Sequence, residues 1–173
     1  MLPTAALVDY ELTETKPRRV TADTGIDALC HAMEAYVSRL SNIGSHALGL
    51  EALRVIPSML PRAFTNPADS VAREALMLAS TRAGAAFSNS SVTLIHGMSR
   101  PLGVHFGVPH GMSNAMLLPA VTAFSISGAP SRYADCARAM GFADDDAADE
   151  AACTRLVAML RDLTSSLDVP TLQ

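Results

Sequence analysis

Between Ile26 and Val37, the apolar residues Ile26, Leu29, Cys30, Met33 and Val37 fall at i, i+3, i+4, i+7 and i+11. That spacing lines one side of a helix, whereas strand side chains alternate faces at every second residue. The helical period returns through most of the chain after Pro17. A second helix is expected from near Ser45, disturbed at Pro57. A third has Asn66 as its cap and Pro67 in its first turn, and runs to about Phe87. Ser88 to Ser91 is a break. A short helix follows from Val92 to about Ser99, stopped by Pro101 and Gly103. Pro109 introduces the next near His110, interrupted at Pro119. Another spans Ser131 to Met140 and is closed by Gly141. The last lies in "DDDAADEAACTRLVAMLRDL", with an acidic first turn that suits the helix dipole. Only residues 4–8 (TAALV) suggest a strand, and it has no partner to pair its backbone groups. The expected fold is mainly α: a single-domain helical bundle over residues 1–173 with one short N-terminal strand.

Composition narrows the function. The chain has 173 residues, 49% of them hydrophobic, enough for one core. A formal charge of −4 and the lack of a basic run argue against a nucleic-acid surface and against an anionic membrane. The longest apolar stretch, Ala115 to Phe124, is too short to span a bilayer. Cys30, Cys136 and Cys153 lie far apart with no C-x-x-C spacing, so no disulfide framework or thiolate zinc site is expected, and a cytoplasmic location fits.

Chemistry concentrates in histidines. Asp27 and His31 are four apart, one helical turn above the other, and Glu34 continues the same polar stripe. Such a pair can bind one metal from a single helix. Thr24 to Asp27 also matches a capping box, which would make Asp27 a structural residue. His96, His105 and His110 crowd into fifteen residues, and Gly97 and Gly111 leave room beside two of them. His96 and His110 can join Asp27 and His31 in a three-histidine, one-carboxylate site, a donor set suited to Zn²⁺ or Fe²⁺. Taken singly, each is as readily a capping or core histidine. His105 is a candidate base, His46 a surface residue, and Ser99 and Asn114 candidates for orienting ligand histidines. Phe87 and Phe106 suit packing or a pocket wall.

Two stretches, "GIDALCHAMEAYVS" (Gly25 to Ser38) and "HGMSRPLGVHFGVPHGMSNAMLLP" (His96 to Pro119), closely resemble the iron-containing, or group III, alcohol dehydrogenases. The shared patterns are D-A-x-x-H-A-x-E-A-Y and P-H-G-x-x-N-A, in matching order and separation. The resemblance covers nearly the whole chain and implies Asp27, His31, His96 and His110 as metal ligands. It also implies the C-terminal helical domain of the dehydroquinate synthase-like fold. In that family a preceding α/β domain binds NAD or NADP through a G-G-G-S loop. This sequence contains neither G-G-G-S nor G-x-G-x-x-G. It resembles the second domain preceded by an interdomain strand and ending before the final helices, and is therefore expected to be a truncated piece of a longer, homo-oligomeric parent.

The implied activity is metal-assisted hydride transfer between an alcohol or aldehyde and NAD(P), with Fe²⁺ first and Zn²⁺ second, and little turnover from this chain alone. The departure is Arg100, where many members carry a second histidine. Arginine stays cationic and cannot act as a base at neutral pH. Its alternatives are clamping an anion or completing a helix C-terminus. A competing class is a non-catalytic helical metal-binding module that works beside a separately encoded nucleotide domain. A weaker third is a metal-dependent hydrolase with Glu34 as base.

Overall fold

The computed structural model describes residues 4–171. Its helices are α1 (Arg18–Val37), α2 (Ile43–Thr65), α3 (Ser70–Ser88), α4 (Leu94–Phe106), α5 (His110–Ser125), α6 (Pro130–Ala139) and α7 (Asp149–Ser166), with short 3-10 turns at Glu11–Thr13 and Ile126–Gly128. The helical bundle is as expected, but the strand is not. Residues 4–8 are exposed irregular chain, and no described residue is in a strand. A strand needs a neighbouring edge to satisfy its backbone, and the described residues offer none.

α1 is the axis of the molecule. It packs on α2, α3 and α5; α2 and α3 pair with each other, α4 lies on α5, and α7 lies on α5 and α6. Ile26, Leu29, Cys30 and Met33 are fully buried, as their spacing requires. They share one core with Leu53, Ile56 and Leu60 of α2, Leu118 of α5 and Leu156 of α7. Each such side chain contributes about 1.5–3 kcal/mol relative to an exposed one.

Helix boundaries differ from the sequence expectation in instructive ways. Thr24 lies inside α1, where its hydroxyl donates to Val20 O at 2.8 Å, so the capping-box account of Asp27 does not hold. α2 starts at Ile43 behind a reciprocal capping box of Asn42 and Ser45. Asn66 ends α2, and Asp69 caps α3 by accepting from Ala72 N–H at 3.0 Å. Pro57 and Pro61 sit within α2, Pro101 within α4 and Pro119 within α5. A proline inside a helix costs about 3 kcal/mol. Burial of Leu53, Ile56 and Leu60 around the first pair, and of Leu117, Leu118 and Val121 around Pro119, outweighs that cost.

α4 continues past Pro101 and Gly103 to Phe106. It stops at Gly107, whose φ of +66° is the left-handed conformation glycine adopts freely. α6 ends one residue earlier than expected, with Gly141 also at positive φ. The acidic first turn of α7 is Asp149 and Glu150; Asp144, Asp145 and Asp146 precede the helix. Arg138 of α6 holds Asp149 at 2.6 Å and clips the two helices together. No described helix is long and apolar enough to cross a membrane.

Candidate metal centre

Three helices bring the site together. Asp27 and His31 lie on α1, His96 is the third residue of α4, and His110 is the first of α5. α4 lies on α5 and both touch α1, so His96 and His110, near the two helix starts, meet at Asp27. Gly111 makes the last approach possible: a Cβ there would stand 2.6 Å from the Asp23 carbonyl oxygen. At Gly97 a Cβ would meet nothing within 4 Å, so only one of the two histidine–glycine pairs needs its glycine for packing.

Asp27 Oδ1 lies 3.3 Å from His96 Nε2, 3.6 Å from His110 Nε2 and 3.7 Å from His31 Nε2. Donor atoms of Asp27, His96 and His110 all fall within 4.8 Å of one another. His31 reaches this trio through Asp27; its ring lies 4.2 Å from that of His96 and stacks on Phe87 at 4.2 Å. A four-coordinate site with bonds of about 2.0–2.2 Å has donor–donor edges of about 3.3–3.6 Å. The three aspartate–histidine separations match that scale.

The Asn114 amide nitrogen sits among the same acceptors, donating to Asp27 Oδ1 at 2.6 Å and lying 3.1 Å and 3.2 Å from the Nε2 atoms of His96 and His110. Lone pairs that converge on an N–H₂ group mark a point that favours positive charge. Nitrogen and oxygen donors without a thiolate suit a divalent ion such as Fe²⁺ or Zn²⁺. The residues present therefore fit a metal.

Beneath the cluster lies Glu34, only 1% exposed. Its Oε1 accepts from Thr93 Oγ1 and from Ile95 N–H, each at 2.7 Å, and its Oε2 contacts His96 Nδ1. Thr93, the N-cap of α4, makes no side-chain cap bond of its own. Glu34 of α1 therefore caps α4 from outside and puts a carboxylate at the positive end of its dipole. The Glu34 carboxylate holds the Nδ1 proton of His96, so Nε2, beside Asp27, is the nitrogen that can give up its proton and offer a lone pair to a metal.

Electrostatics follow burial. Burial holds the His31 imidazole down at about 4, against the opposing pull of Asp27. Burial also opposes charge on His96, but hydrogen bonds to Asp27 and Glu34 outweigh it and push His96 up to about 9. Asp27 is held below the usual carboxylate range: burial acts to raise it, but the hydrogen bond with His96, the charge of His31 and the hydrogen bond from Asn114 together outweigh burial. His96 is 3% exposed and His110 is 47% exposed, so the cluster opens toward solvent on the α5 side.

The other sequence candidates scatter. Arg100 is exposed and lies mid-helix in α4, so it does not complete a helix C-terminus. It lines a depression of about 470 Å³ with Leu40 and residues 87–92; Phe87 is the wall shared with His31. His105 is exposed in the last turn of α4, outside the cluster. Ser99 bonds the His96 carbonyl rather than its ring. His46 is half-buried against Tyr36, not a surface residue. Glu34 is the residue whose role spacing alone did not reveal. Its signal was its place seven residues after Asp27 on one helix face, but its partners lie 59 to 62 residues further along the chain.

The sequence profile described as Fe-containing alcohol dehydrogenase family, C-terminal, matches residues 21–171. The chain is 35% identical to the NAD-dependent methanol dehydrogenase of Bacillus methanolicus, over 97% of its own length and 44% of that protein. It is 39% identical to long-chain-alcohol dehydrogenase 1 of Geobacillus thermodenitrificans (strain NG80-2), over 98% of its length and 43% of that protein. The crystal structure of a 1,3-propanediol oxidoreductase superposes with a TM-score of 0.91 at 35% identity, covering 94% of this chain and 42% of the other. The chain thus spans less than half the length of the relatives it matches. With a matched profile, a shared helical fold and a convergent histidine–aspartate cluster, the chain belongs to the Fe-containing alcohol dehydrogenase family.

Proposed function

We propose that these residues form the metal-holding helical domain of an oxidoreductase that moves hydride between an alcohol or aldehyde and NAD(P). The observation that carries this is the convergence of Asp27, His96 and His110 donor atoms within 4.8 Å, with His31 at 3.7 Å from Asp27. Asp27, His31, His96 and His110 would hold a divalent cation, Fe²⁺ before Zn²⁺. Such an ion supplies Lewis-acid polarisation of a hydroxyl or carbonyl oxygen.

The chain's own residues do the positioning. One carboxylate and three neutral imidazoles leave a dication net positive, which favours an oxygen substrate that bears developing negative charge. Glu34 holds His96 in the tautomer that offers Nε2. The exposed flank at His110 is the side open to substrate. Arg100, across Phe87 from His31, is a cation available to hold an anionic group of substrate or cofactor. Nicotinamide binding and homo-oligomer formation belong to the longer parent. Its cytoplasmic location is supported by three buried free thiols.

Elemental analysis after metal loading and dialysis tests the site. About one equivalent is expected per chain, lost in His96→Ala and His110→Ala. Full metal in both variants would show the ligand assignment to be wrong. NADH-dependent aldehyde reduction by this chain alone is expected to be negligible, and robust turnover would overturn the assignment of nicotinamide binding to another part of the parent.

A further inference from the structure

A separate cavity of about 110 Å³ lies between the entry to α1 and α3. Its size is well above the roughly 10–15 Å³ that a single water needs. None of the four proposed metal ligands lines it. Its polar lining is Lys16, Arg73, Thr13, Thr21, Thr24 and Ser80, with apolar walls and no carboxylate. Arg73 is 3% exposed, a buried guanidinium. Its Nε donates to Pro67 O at 3.1 Å and its Nη1 to Thr21 Oγ1 at 3.2 Å, while its Nη2 is buried without a hydrogen-bond partner among the described residues. Lys16 donates to Thr24 Oγ1 at 3.0 Å. Neither cation forms an ion pair with a described carboxylate. Burial and the neighbouring Arg73 charge both hold the Lys16 ammonium below its ordinary value.

A buried guanidinium with a spare N–H₂ group, beside a second cation and without a counter-charge, is costly unless something anionic joins it. Two cationic donors and the hydroxyls of Thr21 and Ser80, whose protons are not donated elsewhere among the described residues, form a donor-rich cradle for a tetrahedral oxyanion, while the Thr13 and Thr24 hydroxyls already donate to Tyr10 O and Val20 O. We infer that this cavity binds a phosphate group, free or as the end of a monoester, between Lys16 and Arg73. Thr24 and Ser80 are exposed at its rim, which gives the ligand a route in. The bound anion would tie the segment before α1 to α3, independently of the metal centre.

Isothermal titration of the full chain with inorganic phosphate, at constant ionic strength held with chloride, tests this. A single saturable site is expected. Lys16→Gln should weaken it by about tenfold or more, and Lys16→Arg should restore most of it. His110→Ala should leave it unchanged, which separates this site from phosphate bound at a metal. A parallel titration with glycerol 3-phosphate distinguishes the sources: tighter binding than phosphate assigns an esterified group, weaker binding a free ion. Absence of saturable heat up to about 10 mM phosphate, or equal affinity in Lys16→Gln, overturns the site. If Lys16→Gln does not fold, amide chemical shifts of the unmodified chain decide. Phosphate-dependent shifts at Lys16, Thr24 and Ser80 support the site, and their absence there refutes it.

Discussion

Glu34 does more than any other residue outside the proposed ligand set. One buried carboxylate receives a hydroxyl, a backbone N–H and an imidazole nitrogen. Glu34→Gln keeps the shape but replaces one acceptor oxygen with a donor, so His96 or the α4 cap loses its partner. Metal affinity, measured by competition with a chelator, is expected to fall by about 10–100-fold. Half-buried His31 and buried His96 titrate in opposite senses. His31 is held near 4, below its ordinary 6.5, so its contribution to stability is full above 6.5 and lost as pH falls through 4. His96 is raised to about 9, so its contribution is full below 6.5 and lost as pH rises through 9. Urea midpoints of chelator-treated protein should therefore peak near pH 6.5, where the two ranges meet, and decline on both sides. His31→Asn should flatten the acid limb and His96→Asn the alkaline limb.

The start of α5 is the element on which the site depends most. His110 is its first residue, and Gly111 lies against the α1 backbone at Asp23. Gly111→Ala would place a methyl 2.6 Å from a carbonyl oxygen that cannot move without bending α1. The helices must separate, at a cost of about 1–3 kcal/mol, and His110 is carried away from Asp27. Both the melting temperature and the metal stoichiometry should drop. Gly97→Ala is the control: it lies inside α4 with open space around it, and should raise stability by up to about 1 kcal/mol through helix propensity. If the two variants behave alike, the close approach of α5 to α1 is not what sets the cluster.

In the molecule as a whole, core and site share one helix. The buried face of α1 anchors the bundle, and its polar stripe carries Asp27, His31 and Glu34. Damage to the core should therefore reach the site. Leu29→Ala, at a fully buried position, should cost about 2–5 kcal/mol and weaken metal binding although it touches no ligand. The reverse linkage should also hold. Metal at a hundred times its dissociation constant should stabilise the fold by about 2.7 kcal/mol. That gain is read as a metal-dependent rise in melting temperature and should vanish in His96→Ala.

Helix content was legible because its cause is local. A stripe such as Ile26 to Met33 shows within a few turns which face must be buried, and the structure buries it. The histidine–aspartate set was legible through its resemblance to a family pattern. The prolines misled because local chemistry says stop, while the free energy of burying a long apolar face says continue; α2, α4 and α5 all continue. The strand at residues 4–8 failed for the opposite reason, since its propensity had no neighbouring edge to act on. Glu34 beneath His96, the clash that Gly111 avoids and the carboxylate-free cavity around Arg73 depend on residues dozens of positions apart. Sequence periodicity decides what each helix must hide. Only packing decides which helix it meets, at what depth, and therefore which polar groups are left facing one another.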